Sequence, residues 1–281
     1  MLDLTKCDPA LLQMADAVVA ELSAKSTRLR VQDVMVVGAH CRDILQSAMS
    51  QEFALRTTDD IDFGLAVANW TAYHELTEEL EATGHTGIRY RVANVPTDLM
   101  PFGAVEKPPG TVTPPARHEP MSVWGFAEVF ETARPLSLPS AGTIRIPTVA
   151  GYAALKLAAW LDRSAYGQYK DAADIATVMY WYSESPEVDA RLYETEHGQD
   201  ILVQEESDYP VAAARMLGED IAGVVGRTRL SELAERWPGS RKDSLYAGMT
   251  VTNALQWPSS PDRRQELVLG MERGMGIGAA D

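Results

Sequence analysis

The densest cluster of chemistry-bearing residues in the chain is Arg56-Thr57-Thr58-Asp59-Asp60-Ile61-Asp62, at the head of the apolar run Ile61–Val67. That run reads as a strand, and side chains two apart in a strand point to one face. Asp60 and Asp62 are therefore expected to present two carboxylates to the same point. Like charges held together cost free energy unless protons or a cation neutralise them. Hard oxygen ligands suit Mg²⁺, which commonly completes its shell with water and phosphate oxygens. The alternative is a polar turn leading into a strand. A third carboxylate, Asp98, stands in Val95-Pro-Thr-Asp-Leu-Met-Pro-Phe-Gly103 on a later short strand expected over 97–100 and ending at Pro101. Two-metal sites draw on bridging carboxylates from neighbouring strands; read alone, Asp98 reads rather as a turn aspartate between prolines.

Two further positions carry charge or backbone chemistry. Gly38 follows the apolar stretch 34–37 and precedes a helical pattern over 39–50, and a strand–glycine–helix turn offers backbone N–H groups to phosphate. His40 and Cys41 come next, but no second Cys/His pair has zinc-ligand spacing. Lys156 is the one charged residue in Val149–Leu161. A helix apolar on nearly every face is buried, and a buried ammonium needs an anionic partner: a carboxylate of the chain, a ligand phosphate, or both. Otherwise its stem snorkels the charge to water. Asp171 is a candidate to orient Lys156, while Lys170 and Asp174, four apart, read as a surface ion pair.

The elements that must hold these residues follow from periodicity. Apolar residues at helical spacing predict a helix over 9–24, begun by Asp8 and Pro9. Strands are expected at 33–38, 61–67, 89–93 and 97–100, with strand-like runs near 123–132 and 142–146 and an amphipathic helix over 70–83 closed by Gly84. Five prolines between 104 and 120 predict a loop or lid. Beyond Pro147 the pattern is helical, at 148–162, 168–182, 208–216 and 228–236. The resulting expectation is an α/β fold: a small mixed sheet with flanking helices over residues 1–147, a helical domain over 148–270, and a glycine-rich flexible tail at 271–281. The stretch 184–220 carries eleven acidic and two basic residues, which reads as a solvated face.

The 281 residues are 46% hydrophobic and 23% charged, which excludes a largely disordered chain. A net charge of −15 argues against a surface that coats nucleic acid throughout, though Arg227, Arg229, Arg236, Arg241 and Lys242 gather late in the chain as a local basic patch or a solvated surface. No apolar run is long enough to span a bilayer. The first residues lack a signal-peptide pattern, and two cysteines make no disulfide framework. A reducing cytoplasm is the expected location.

In order and combination, Gly38, Arg56-x-Thr58-x-Asp60-Ile-Asp62 and Asp98-Leu-Met-Pro-Phe-Gly103 resemble the nucleotidyltransferase core of the DNA polymerase β superfamily. More narrowly, the chain is similar to the AbiEii-like nucleotidyltransferases, which include the MenT-type toxins. The similarity extends through Lys156-Leu-Ala-Ala-Trp-Leu-Asp162-Arg163, Lys170-Asp171-Ala-Ala-Asp174 and the stretch Asp208–Asp220. The chain departs from the family at Ala39, where members carry Gly or Ser.

The resemblance implies transfer of a nucleoside monophosphate from a nucleoside triphosphate to a hydroxyl acceptor, with pyrophosphate leaving. It implies Mg²⁺ on Asp60, Asp62 and Asp98. Lys156 and Asp171 match positions that handle the triphosphate and complete the catalytic set. Gly38, Arg42 and Thr58 are the further nucleotide-contact candidates, with Arg56 behind them. The triphosphate is expected in a cleft between sheet and helical domain. Acceptors in keeping with the resemblance are the 3′ end of tRNA, a small hydroxylated molecule or a protein side chain, and a toxin of this kind would have an antitoxin partner. The alternative class is a non-catalytic nucleotide-binding module.

Overall fold

The computed structural model describes residues 3–25, 29–254 and 256–277. The chain divides into two compact units, one ending at Thr148 and the other starting at Val149. Among the described residues no helix is long and apolar enough to cross a membrane.

Among its described residues the first unit is built on nine strands: β1 Val34–Val37, β2 Ile61–Val67, β3 Glu81–Ala82, β4 Arg89–Val92, β5 Val95–Gly103, β6 Thr111–Val112, β7 Met121–Ser122, β8 Arg134–Ser137 and β9 Thr143–Ile146. Seven form one sheet in the order β3-β4-β5-β2-β1-β9-β8. The pairs β2–β5 and β1–β9 are parallel and the others antiparallel, so the sheet is mixed. Every residue of β1 is buried, as its unbroken run of Val and Met requires of an inner strand. Helix α1, Pro9–Lys25, buries Ala15, Val18, Val19 and Leu22, an i, i+3, i+4, i+7 stripe. Helix α2, Gly38–Ala48, follows β1 directly, and α3 spans Trp70–Thr77.

Several local expectations are corrected. The helix expected over 70–83 stops at Thr77, because Glu81 and Ala82 pair with Arg91 and Tyr90 as the sheet's edge. Strand β5 does not end at Pro101 but runs on to Gly103. The Leu99 N–H reaches Ile88 O across 2.8 Å, and β4 pairs with β5 only over Val95–Asp98. The amide that Pro101 lacks would face the side where β4 has already ended. The proline-rich segment is not wholly irregular, since β6 and β7 make a two-stranded ribbon within and after it. The run near 123–132 is helix α4, Phe126–Thr132. Its Phe126 and Phe130 sit edge-on to Phe102, with centroids 5.8 and 5.4 Å away, so an i, i+4 contact overrides the strand-like composition.

The regular elements of the second unit, among its described residues, are helices: α5 Val149–Ser164, α6 Asp171–Ser183, α7 Pro186–Glu194, α8 Glu196–Gln204, α9 Tyr209–Arg236, α10 Lys242–Gly248 and α11 Pro261–Met275. The helices expected at 208–216 and 228–236 are parts of α9, broken in geometry at Gly226 with φ 71°. The tail expected over 271–281 is corrected as far as Met275, which ends α11; residues 278–281 lie outside the described set. Among the tail's described glycines Gly274 serves packing. A Cβ on Gly274 would lie 1.9 Å from Arg215 O, and one on Gly218 of α9 would lie 2.1 Å from Met271 O, so the two helices touch backbone to backbone. The acidic stretch is only partly a solvated face. Buried Glu205 binds Arg215 and Arg273, Asp208 binds Arg263, and Asp220 binds Arg191.

Gly38 carries a specific constraint. It has φ 67°, and a Cβ there would fall 1.8 Å from Asp62 Oδ2. Gly38→Ala therefore combines a left-handed strain with a steric conflict and is expected to lower stability by about 2 kcal/mol, measured by urea denaturation.

Candidate functional site

Strand register assembles the first cluster. Asp62 is the Cα partner of Val37, the residue before Gly38, and of Asp98 on β5. Asp98 is in turn the partner of Arg89 on β4. One row thus crosses four neighbouring strands as Val37-Gly38, Asp62, Asp98 and Arg89, and paired positions in a sheet share a face. Asp60 lies two residues before Asp62. Its position brings it to the same guanidinium as Asp98.

Arg89 is the residue that the sequence reading missed. Its Nε donates to Asp98 Oδ1 across 2.7 Å, and its Nη2 donates to Asp98 Oδ2 across 3.1 Å and to Asp60 Oδ2 across 2.7 Å. This is a two-point Arg–carboxylate pairing with a third, charge-assisted bond. The Thr58 hydroxyl donates to Asp60 Oδ1 from the other side. Burial by itself would raise the Asp60 pKa, but the Thr58 hydrogen bond and the Arg89 charge outweigh it and hold the group below its ordinary value. The grip of Asp98, together with both carboxylate charges, pushes the Arg89 pKa up, against a smaller effect of burial. In a strand that alternates polar and apolar, Arg89 falls on the polar face with Arg91, opposite the buried Tyr90 and Val92, and nothing in the local pattern tells the two arginines apart.

The fit to Mg²⁺ follows from this arrangement. The donor chemistry, three carboxylates at one end of adjacent strands, suits a hard divalent ion. The arrangement as it stands does not present those oxygens to one ion, because Arg89 is bound to Asp60 and Asp98. Among the described residues no group of three or more His, Cys, Asp or Glu side chains is placed to hold a metal.

The other nucleotide-contact candidates divide. Gly38 opens α2 beside the Asp62 carboxylate. Arg42 is 2% exposed, and its guanidinium donates to Asp43 Oδ1 and to the Arg56 carbonyl, the latter across 2.6 Å. It therefore anchors the segment that leads to Thr58 and Asp60. Arg56 itself is exposed. His40 Nε2 lies 2.8 Å from Leu11 O, and Cys41 is buried.

The second cluster lies in the helical unit. Lys156 of α5 is buried, with Nζ 3.4 Å from Asp171 Oδ1 and 2.6 Å from Asp174 Oδ2, and 5.4 Å from the centroid of the Tyr152 ring. Asp171, wholly buried, also takes the Arg163 guanidinium at 3.2 Å. Lys156 does not snorkel: its anionic partners are carboxylates of the chain. The surface pair expected between Lys170 and Asp174 is not made. Helix α6 begins at Asp171, so Asp171 and Asp174 form an i, i+3 pair on the buried side while Lys170 stays outside. Asp60, Asp62 and Asp98 belong to the sheet unit, and Lys156 and Asp171 to the helical unit.

No family profile and no curated protein matches this chain.

Each cluster yields a measurable consequence. Lys156→Met removes the ammonium that the buried Asp171 and Asp174 share, leaving Asp171 with Arg163, and it is expected to cost about 3–5 kcal/mol in urea unfolding at neutral pH. In the sheet unit, a depressed carboxylate pKa contributes stability that is full above the unfolded value near 3.8 and is lost as pH falls through the folded value. Arg89→Met removes the charge holding Asp60 down. The Asp60 titration, followed by ¹³C NMR of its carboxyl group, is then expected to move to higher pH.

Proposed function

We propose that the chain is a nucleotidyltransferase that moves a nucleoside monophosphate from a nucleoside triphosphate to a hydroxyl acceptor. The observation that supports this most directly is the row Val37, Asp62, Asp98 across β1, β2 and β5, with Gly38 directly after Val37 and Asp60 beside Asp62. A strand–glycine–helix turn next to paired carboxylates combines an anion-tolerant backbone with ligands for the cation that a triphosphate needs. The sequence resemblance to the AbiEii-like branch points the same way.

Mg²⁺ is the cofactor of this reading, and when bound it would neutralise phosphate charge and lower the pKa of the acceptor hydroxyl. Asp60, Asp62 and Asp98 would hold it once Arg89 releases Asp60 and Asp98. In the reaction the acceptor oxygen forms a bond to the α-phosphorus, the bond from that phosphorus to the β-bridging oxygen breaks, and pyrophosphate leaves with the electron pair. Asp98 takes the hydroxyl proton. Thr58 orients Asp60, and Arg42 holds the preceding segment. The resemblance implies a triphosphate-handling role for Lys156 and Asp171, whereas the ion pairs of Lys156 with Asp171 and Asp174 give them a structural one in the helical unit. The acceptors of this reading are the tRNA 3′ end, a small hydroxylated molecule or a protein side chain. An antitoxin partner follows if expression arrests growth and a neighbouring gene product relieves it.

The Arg89 clamp favours one second reading, a nucleotide-binding module without transfer activity. Incubation with each labelled triphosphate, Mg²⁺ and a cell extract, followed by separation of RNA, protein and small molecules, distinguishes the two. Label is expected in one fraction, dependent on Mg²⁺, and reduced about 100-fold or more in Asp62→Asn. Triphosphate binding with no label in any fraction supports the module. Triphosphate binding that survives Asp62→Asn unchanged overturns the metal assignment.

A further inference from the structure

A separate cavity in the helical unit has chemistry of its own. It is an open cleft of about 230 Å³, lined by Leu161, Ser164 and Ala165 at the end of α5, and by Arg236, Ser240 and Arg241 between α9 and α10. Its lining is rich in hydrogen-bond donors. The Arg236 guanidinium is bound on one side by Asp162, with Nη2 to Oδ1 at 2.5 Å, and is still two-fifths exposed. Arg241 is exposed, and its guanidinium has no hydrogen-bond or ion-pair partner among the described residues. The Ser240 hydroxyl is shielded from solvent and has no partner either. Asp162 is the carboxylate next to this group.

Two guanidinium groups and an unpaired hydroxyl around one cavity favour an anion. In a chain of net charge −15 most arginines of the helical unit sit in ion pairs, as Arg163, Arg191, Arg215, Arg263 and Arg273 do, whereas among the described residues Arg241 does not. Paired arginine forks suit the several oxygens of a phosphate better than a single carboxylate, and the volume leaves room for one. One residue beyond the lining, the chain carries an exposed ring. Tyr166 follows Ala165 directly, its N–H bonded to Arg163 O in the turn after α5. It is 83% exposed, and no other ring stacks on it. Exposed aromatic faces beside cationic groups bind flat bases by stacking.

We propose that this cavity binds the phosphate of a nucleotide, with Arg241 and Arg236 on the phosphate, Ser240 donating to it, and the base on the Tyr166 ring. All these residues lie in the helical unit and none belongs to the carboxylate row, so the inference does not depend on the nucleotidyltransferase reading. The same chemistry comes from a free mononucleotide or from one nucleotide of a single strand.

The test is titration of the full chain in EDTA, which removes divalent cations and with them metal-dependent triphosphate binding. The probes are inorganic phosphate, AMP and a short single-stranded oligonucleotide, with melting curves to confirm that each variant is folded. Arg241→Ala is expected to weaken phosphate and AMP about tenfold or more. Tyr166→Ala is expected to weaken AMP about fivefold or more and to leave inorganic phosphate unchanged. An oligonucleotide that binds tighter than AMP, with a salt dependence that shrinks in Arg241→Ala, identifies a strand as the source; one that binds no tighter identifies the free nucleotide. The proposal is overturned if neither phosphate nor AMP binds, or if Arg241→Ala binds as the unaltered chain does. Unchanged AMP binding by Tyr166→Ala overturns the base contact. A positive result stands whether or not label transfer is found, and a negative one leaves that assay unaffected.

Discussion

Carboxylates that share one face of a sheet repel each other, and the guanidinium of Arg89 is what allows Asp60 and Asp98 to do so. The pairing is possible because β4, β5 and β2 are neighbours, which sets Arg89, Asp98 and Asp62 in register. Everything proposed for this end of the sheet depends on that interaction. While Arg89 is engaged, the carboxylates are already neutralised in part. A cation with a polyanionic substrate must compete with a residue of the protein that is held by three charge-assisted hydrogen bonds.

The helical unit solves a related problem with the charges balanced in number. One lysine and one arginine sit against Asp171 and Asp174, most of them away from water. Buried ions of this kind are held by mutual compensation, and removing one partner is far more costly than the pair's net contribution. The same unit packs α9 against α11 through glycines whose absent side chains let backbone approach backbone. Glu272, on the packed part of α11, accepts from Trp237 Nε1 and Lys242 Nζ at 2.7 and 2.9 Å. Polar groups drawn into that packing are thus supplied with partners.

Much of the fold was legible along the chain, for local reasons. The apolar run of β1, the stripe on α1 and the apolar α5 are patterns that burial dictates residue by residue. Gly38 is legible as a turn because the chain must reverse there between strand and helix. Where local pattern and long-range pairing disagreed, pairing prevailed. Glu81 and Ala82 left a helical pattern to join Arg91 and Tyr90, and Phe126 and Phe130 turned a strand-like composition into a helix against Phe102. The glycines near the end read as fraying because sequence alone does not reveal what approaches them.

The sequence by itself determined the donors: which carboxylates stand at strand heads, that Lys156 is alone in an apolar helix, and that basic residues gather late in the chain. Their partners were decided only by tertiary structure. Arg89 reaches Asp60 from 29 positions away, Lys156 meets Asp174 rather than leaving it to Lys170, and Arg241 lacks the ion pair that Arg236 and Lys242 each find. The physical reason is that a charge's environment is set by distance in space. Strand register and helix packing bring together groups whose separation along the chain carries no trace of their contact.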